Sequence, residues 1–167
     1  MVASAKNELK VTRISDREAE LTRIFDAPRE LLFRTMMDPA LIPQWWGPRK
    51  YTTAVDKMEP RVGGKYRFVN RAADGGEHWF NGEYKEIVPN ERVVQTFEYE
   101  PLPGHISVDT MTLEDLGDGR TLMRVRSRFA SKEDADGMIQ SGMEEGARET
   151  YERLEEILAQ RTGAVKG

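Results

Sequence analysis

The chain has 167 residues, 38% hydrophobic and 32% charged, with 25 basic and 29 acidic side chains and a net charge of −4. That length suits one domain burying about 70% of its unfolded surface, and the composition is too apolar for a disordered chain. Interspersed charge with an acidic excess argues against nucleic acid as a partner, and the lack of cysteine excludes disulfides and thiolate metal sites. Met1 to Lys10 has no signal-like apolar core, and no run approaches the ~20 apolar residues of a membrane span. A cytoplasmic protein with no membrane partner is expected.

Residues 1–17 read as an N-terminal extension or short strand, loose over 1–8, with Val11 to Ile14 able to pair. Ala19 to Phe25 predicts a stronger strand. Asp26 then offers a cap for a helix whose first turn holds Pro28 and Glu30, with Leu32 and Met36 as its buried stripe. Asp38-Pro39 starts a second short helix, in which Leu41 pairs with Trp45 and Ile42 with Trp46 before Gly47-Pro48 ends it. From Tyr51 the period becomes two. Strands are predicted at 51–58, 64–71, 77–88, 91–99, 105–116 and 120–130, separated by Gly-, Pro- and Asp-rich turns too short for parallel crossovers. Ser131 and Asp134 open a final helix running to about Gln160, with Ile139, Met143, Ala147, Thr150, Leu154 and Leu158 on one face. Gly142 and Gly146 inside it each cost about 0.8–1 kcal/mol relative to alanine, acceptable where a backbone or ligand comes close.

Strand, two short helices, six strands and one long helix imply an α+β fold in which a curved antiparallel sheet wraps around the C-terminal helix. Space between the two makes a natural cavity. This is a helix-grip architecture.

The segment Thr22 to Phe33 resembles the opening of the START-like (SRPBCC) superfamily. Asp38-Pro39, Gln44-Trp45-Trp46-Gly47-Pro48, Gly63-Gly64, Gly82-Glu83-Tyr84, Ile87 to Arg92 and Glu114 to Gly117 narrow the resemblance to the branch named for the activator of heat-shock-protein-ninety ATPase. It implies a single START-like domain over residues 18–162, followed by a flexible tail at 163–167. It also implies an interior that encloses apolar molecules, in a superfamily where some members are cyclases or dehydratases. The eukaryotic activator adds an N-terminal domain that engages the chaperone, which this sequence does not show. Many relatives place tryptophan after the mid-helix glycine, where this chain has Gly146-Ala147. That exchange implies either a roomier cavity, widest near Gly142 to Ala147, or repacking by Trp45, Trp79 or a methionine.

Alternation places Tyr66, Phe68, Phe80, Tyr84, Val93, Phe97, Met111, Leu113, Met123 and Val125 towards the helix, as core or as ligand-binding wall. Gln95, Asp109, Ser127, Thr150 and Tyr151 share that side, and Met36, Met111, Met123, Met138 and Met143 offer an adaptable lining. The ligand-binding set is therefore Tyr66, Phe68, Phe80, Tyr84, Gln95, Phe97, Met111, Met123, Met143, Gly146, Ala147 and Thr150. Asp109 is the candidate acid or base, set against a wet position at the mouth or pairing with Arg124 or Arg126. Trp45 and Trp46 read as one core plug and one partly exposed ring, or as a docking anchor or lid. His78 and His105 form no metal-ligand set, no phosphate loop or serine elbow appears, and no cofactor is called for. The expected function is binding of an apolar small molecule by a carrier or sequestering protein. The alternatives are a cyclase, dehydratase or hydrolase, and a co-regulator that meets a chaperone or regulatory protein, with the chain monomeric or homodimeric.

Overall fold

Alternating apolar and polar side chains build strands that hide one face and wet the other. Eight such segments form the sheet: β1 Lys10–Ser15, β2 Glu18–Phe25, β3 Tyr51–Met58, β4 Lys65–Ala72, β5 Glu77–Val88, β6 Arg92–Tyr99, β7 Ser107–Asp115 and β8 Thr121–Arg128. The helices are α1 Arg29–Met36, α2 Ile42–Trp45, α3 Lys132–Gln140 and α4 Met143–Arg161. The computed structural model describes residues 7–162, so the tail expected at 163–167 lies outside the described residues.

The strand order is β1-β2-β8-β7-β6-β5-β4-β3, antiparallel throughout. Between β2 and β3 the chain passes through α1 and α2 and reaches the opposite edge of the sheet. Register shifts at Val55/Lys57 and Tyr84/Glu86 mark bulges that bend β3 and β5. The bent sheet and α4 share one core that includes Phe25, Leu32, Tyr66, Val93, Met123, Leu154 and Leu158. This is the helix-grip arrangement.

Four local expectations need correction. Of the terminus expected to be loose over 1–8, residues 1–6 lie outside the described residues, but Asn7 is held: it is buried, and its Nδ2 donates to Asp26 Oδ2 at 2.9 Å and to Glu155 Oε1 at 3.1 Å. That contact also draws Asp26 away from helix capping, and α1 starts behind Pro28 without a side-chain cap. Asp38 accepts from the Ala40 amide at 2.9 Å, holding a turn that delays α2 until Ile42. The last helix is two helices. Ser131 does cap α3 by accepting from the Asp134 amide at 3.0 Å, but Gly142 adopts a left-handed φ of 89° and starts α4 in a new direction. Ile139 accordingly joins Ala19, Phe129, Ala135 and Met138 in a separate small cluster.

At Gly82 the backbones of β5 and β6 come close together. A Cβ there would run into the Thr96 carbonyl oxygen and the ring of Tyr66, whose hydroxyl donates to that carbonyl at 2.5 Å. Backbone cannot yield to a methyl group without moving the strand. Gly82→Ala is expected to lose about 3 kcal/mol of stability, at the upper end of ordinary overpacking, measured by urea denaturation. A loss below about 0.5 kcal/mol would show that β5 and β6 slide apart freely.

Candidate functional site

Between the inner face of the sheet and α4 lies a cavity of about 190 Å³. β4 contributes Tyr66 and Phe68, β5 Tyr84, β6 Val93, Gln95 and Phe97, and β7 Asp109 and Met111. Val125 of β8 and Thr150 and Tyr151 of α4 complete that side. Met36 and Met37 at the end of α1, Ile42, Trp45 and Trp46 at α2, and Met58 close the other.

Of the wall expected from the sequence, Tyr66, Phe68, Tyr84, Gln95, Phe97, Met111 and Thr150 therefore face the cavity, as does Asp109. The other five do not. Phe80 stands in an aromatic cluster with Trp46, Phe97 and Tyr99, at ring separations of 5.3, 5.4 and 5.2 Å. Met123 is wholly buried in the core, and Met143 and Ala147 pack at the core's edge. A Cβ on Gly146 would meet only Pro48, at 3.4 Å. The cavity thus opens one turn beyond the place expected from Gly142 to Ala147, because the joint at Gly142 redirects the start of α4. Trp45 is buried on the cavity wall, whereas Trp79 lies on the opposite face of the sheet with the Arg67 guanidinium 3.9 Å above its ring.

Trp46 is half-buried and stands edge-on to Phe68 and Phe80, at 5.1 and 5.3 Å. The turn that carries both indoles is fastened to α4. Arg153 donates to the carbonyls of Gly47 at 2.8 Å and Gln44 at 3.0 Å, and Glu149 accepts from the Arg49 amide at 3.0 Å. Thr53 donates to the Trp46 carbonyl at 2.6 Å from the sheet side.

Burial pushes the Asp109 carboxyl up to about 6, with the hydroxyls of Ser127 and Ser107 acting in the opposite sense. Its Oδ1 is buried and has no hydrogen-bond partner. Neither arginine considered as its partner reaches it: Arg124 and Arg126 pair with Glu20 at 3.5 and 3.3 Å. Burial also raises the phenols of Tyr66, Tyr84 and Tyr151, the first and last with help from the charge of Asp109, so all three stay neutral. His78 is occupied by the Tyr99 hydroxyl at 2.7 Å and His105 by Asp134 at 2.8 Å. Among the described residues no three His, Asp or Glu side chains gather to hold a metal, and no helix is long and apolar enough to cross a membrane.

A polar feature outside the expected set lies on the inner face of the sheet, off the cavity wall. Arg23, only 7% exposed on the inner face of β2, donates to Glu155 of α4 at 2.9 Å and lies 4.5 Å over the Phe25 ring. The run Ala19, Leu21, Arg23, Phe25 placed it inward by parity, which is the signal that finds it.

The family model described as Activator of Hsp90 ATPase homolog 1-like protein matches residues 26–159. Among solved structures, a protein from Rhodobacter sphaeroides is 26% identical, with a TM-score of 0.85 over 92% of this chain and 99% of its own. One from Arthrobacter aurescens is 25% identical, with a TM-score of 0.82 over 90% and 91%. The AHSA1 protein from Silicibacter pomeroyi shares the fold at 22% identity and a TM-score of 0.70, over 86% of this chain and 99% of its own. No curated protein matches the chain.

Proposed function

Because the chain belongs to the Activator of Hsp90 ATPase homolog 1-like family, a START-like branch, we propose that it binds a small apolar molecule in the cavity between sheet and α4, as a carrier or sequestering protein. The observation that carries this reading is the space itself. Protein interiors are packed like organic crystals and keep few voids larger than a water molecule. Here about 190 Å³, partly open to solvent at its rim, runs in against the core, walled by methionine, aromatic and aliphatic side chains. A cavity of roughly 150 Å³ takes up benzene, so the occupant has about the bulk of one ring with a short substituent.

The test is a thermal-shift series with single-ring compounds, followed by native mass spectrometry of the protein as purified. At ligand concentrations about a hundredfold over Kd, the melting temperature should rise on the order of 5 °C. A flat response across the series, together with an empty protein in the mass spectrum, removes the binding reading. The acid on the cavity wall supports a second reading, an enzyme in which Asp109 moves a proton; conversion of a bound compound during the same titrations separates enzyme from carrier. The family's name also raises a role towards a chaperone. The open interior supports binding ahead of it, because docking on a chaperone needs no internal space.

A further inference from the structure

Two polar groups on the cavity wall are already spent within the protein. The Tyr66 hydroxyl donates to the Thr96 carbonyl at 2.5 Å, and the Thr150 hydroxyl to the Gly146 carbonyl at 2.9 Å. Asp109 differs. Its Oδ1 is buried without a partner, and no cation among the described residues balances its charge. Across the ladders it faces Gln95 of β6 and Ser127 of β8, both uncharged. The rest of the wall is rich in rings, among them Trp45, Trp46, Phe68, Tyr84, Phe97 and Tyr151. Aromatic faces carry negative potential and attract cations, more strongly where water is excluded. The cavity therefore combines one acid, several electron-rich faces and no positive group.

We propose that the molecule this cavity takes is a small protonated amine on a ring-sized apolar body, its ammonium group set against Asp109 and its body against the aromatic wall. This rests on the reading of the cavity as a binding site and adds the class of occupant. A purely apolar occupant would exclude water and leave an unpaired acceptor sealed beneath it, which is costly. An anion would meet like charge. A neutral hydroxyl or amide supplies a donor but leaves the carboxylate charge unbalanced. An ammonium group supplies three donors, no acceptor and the opposite charge.

The pH dependence has a definite sign. The groups facing Asp109 are Gln95, Ser127, its strand neighbour Ser107, and the phenols of Tyr66 and Tyr151, which titrate well above neutrality. Among them Asp109 alone changes charge near pH 6, while an alkylamine stays protonated throughout. Amine affinity should therefore rise about tenfold from pH 5 to pH 7 and then level off. A ligand that accepts a hydrogen bond from the protonated acid would show the reverse slope.

Calorimetric titration of the full chain with benzylamine, benzyl alcohol and toluene, at pH 5 and pH 7, tests this. Benzylamine should bind at least tenfold more tightly than benzyl alcohol at pH 7, lose that margin at pH 5, and lose it in Asp109→Asn at both. If that variant does not fold, the pH profile of the unaltered chain decides alone. Alcohol or toluene binding as tightly as the amine at pH 7 overturns the amine assignment and leaves small-molecule binding standing. Failure of all three to bind overturns both.

Discussion

Replacing Asp109 by asparagine is expected to stabilise the empty protein at neutral pH and to remove one pH dependence from its unfolding. The carboxyl rises from an ordinary 3.8 to about 6 because burial disfavours its charged form. Well below its ordinary 3.8 it is protonated in folded and unfolded chains alike and costs nothing. As pH climbs towards 6 the unfolded chain gives up the proton and the folded one resists, so stability drains through that window and stays lower above it. With each pH unit between the two values corresponding to about 1.4 kcal/mol, the gain from Asp109→Asn at pH 7 is on the order of 3 kcal/mol. Urea melts of both proteins at pH 4, 5 and 7 should show curves that meet at the acid end and part near neutrality. A gap of equal size at pH 4 and pH 7 would locate the effect in packing instead of ionisation. The cost of keeping a charged side chain here is what makes a functional use of Asp109 the economical reading.

Arg23→Ala should be among the most damaging changes away from the cavity. It strands Glu155, whose side chain is 21% exposed and would keep only Asn7 as a donor. Removing one member of a buried pair costs about 3–5 kcal/mol, and the residual water at Glu155 puts this case near 3. That is a large part of the roughly 5–15 kcal/mol that holds a typical domain folded. The double replacement Arg23→Met with Glu155→Leu should recover most of the loss, since two apolar groups of similar size need no partner. Urea denaturation of the single and double variants gives the coupling directly. A double variant as unstable as Arg23→Ala would mean that the pair fixes the seat of α4 on the sheet.

The strands were legible because their signal is local. Two-residue alternation bounded by turn residues located all eight to within two residues at each end, with β3 and β5 at their observed limits. What alternation does not carry is a bulge. Counting inward from Thr53 and Val55 would turn Lys57 to the core and Met58 away; the shift between Val55 and Lys57 reverses this and brings Met58 to the cavity. Met37 and Ile42 escaped because helix placement over a sheet depends on contacts far along the chain, whereas Trp45, legible as a core plug or lid, stands on the cavity wall. Gly142 was read as a costly residue inside one helix, since the apolar spacing continues across it and nothing local distinguishes a left-handed glycine from a helical one. Asp109 was legible because apolar neighbours of its own parity, Met111 and Leu113, marked its side of β7. Arg23 carries the same signal on β2 but looks like a surface charge until its partner, far along the chain, is seen.

That partner has a consequence for how the protein is made. Arg23 and Glu155 are 132 positions apart, so at ordinary ribosomal speed on the order of ten seconds separate their synthesis. During that interval the sheet emerges strand by strand with its inner face, rings and all, bare to the cell. The guanidinium of Arg23 keeps one corner of that face hydrated while nothing covers it. When α4 arrives, the same group exchanges that water for Glu155, so a chain truncated before Glu155 would expose its core and be a natural client for chaperones.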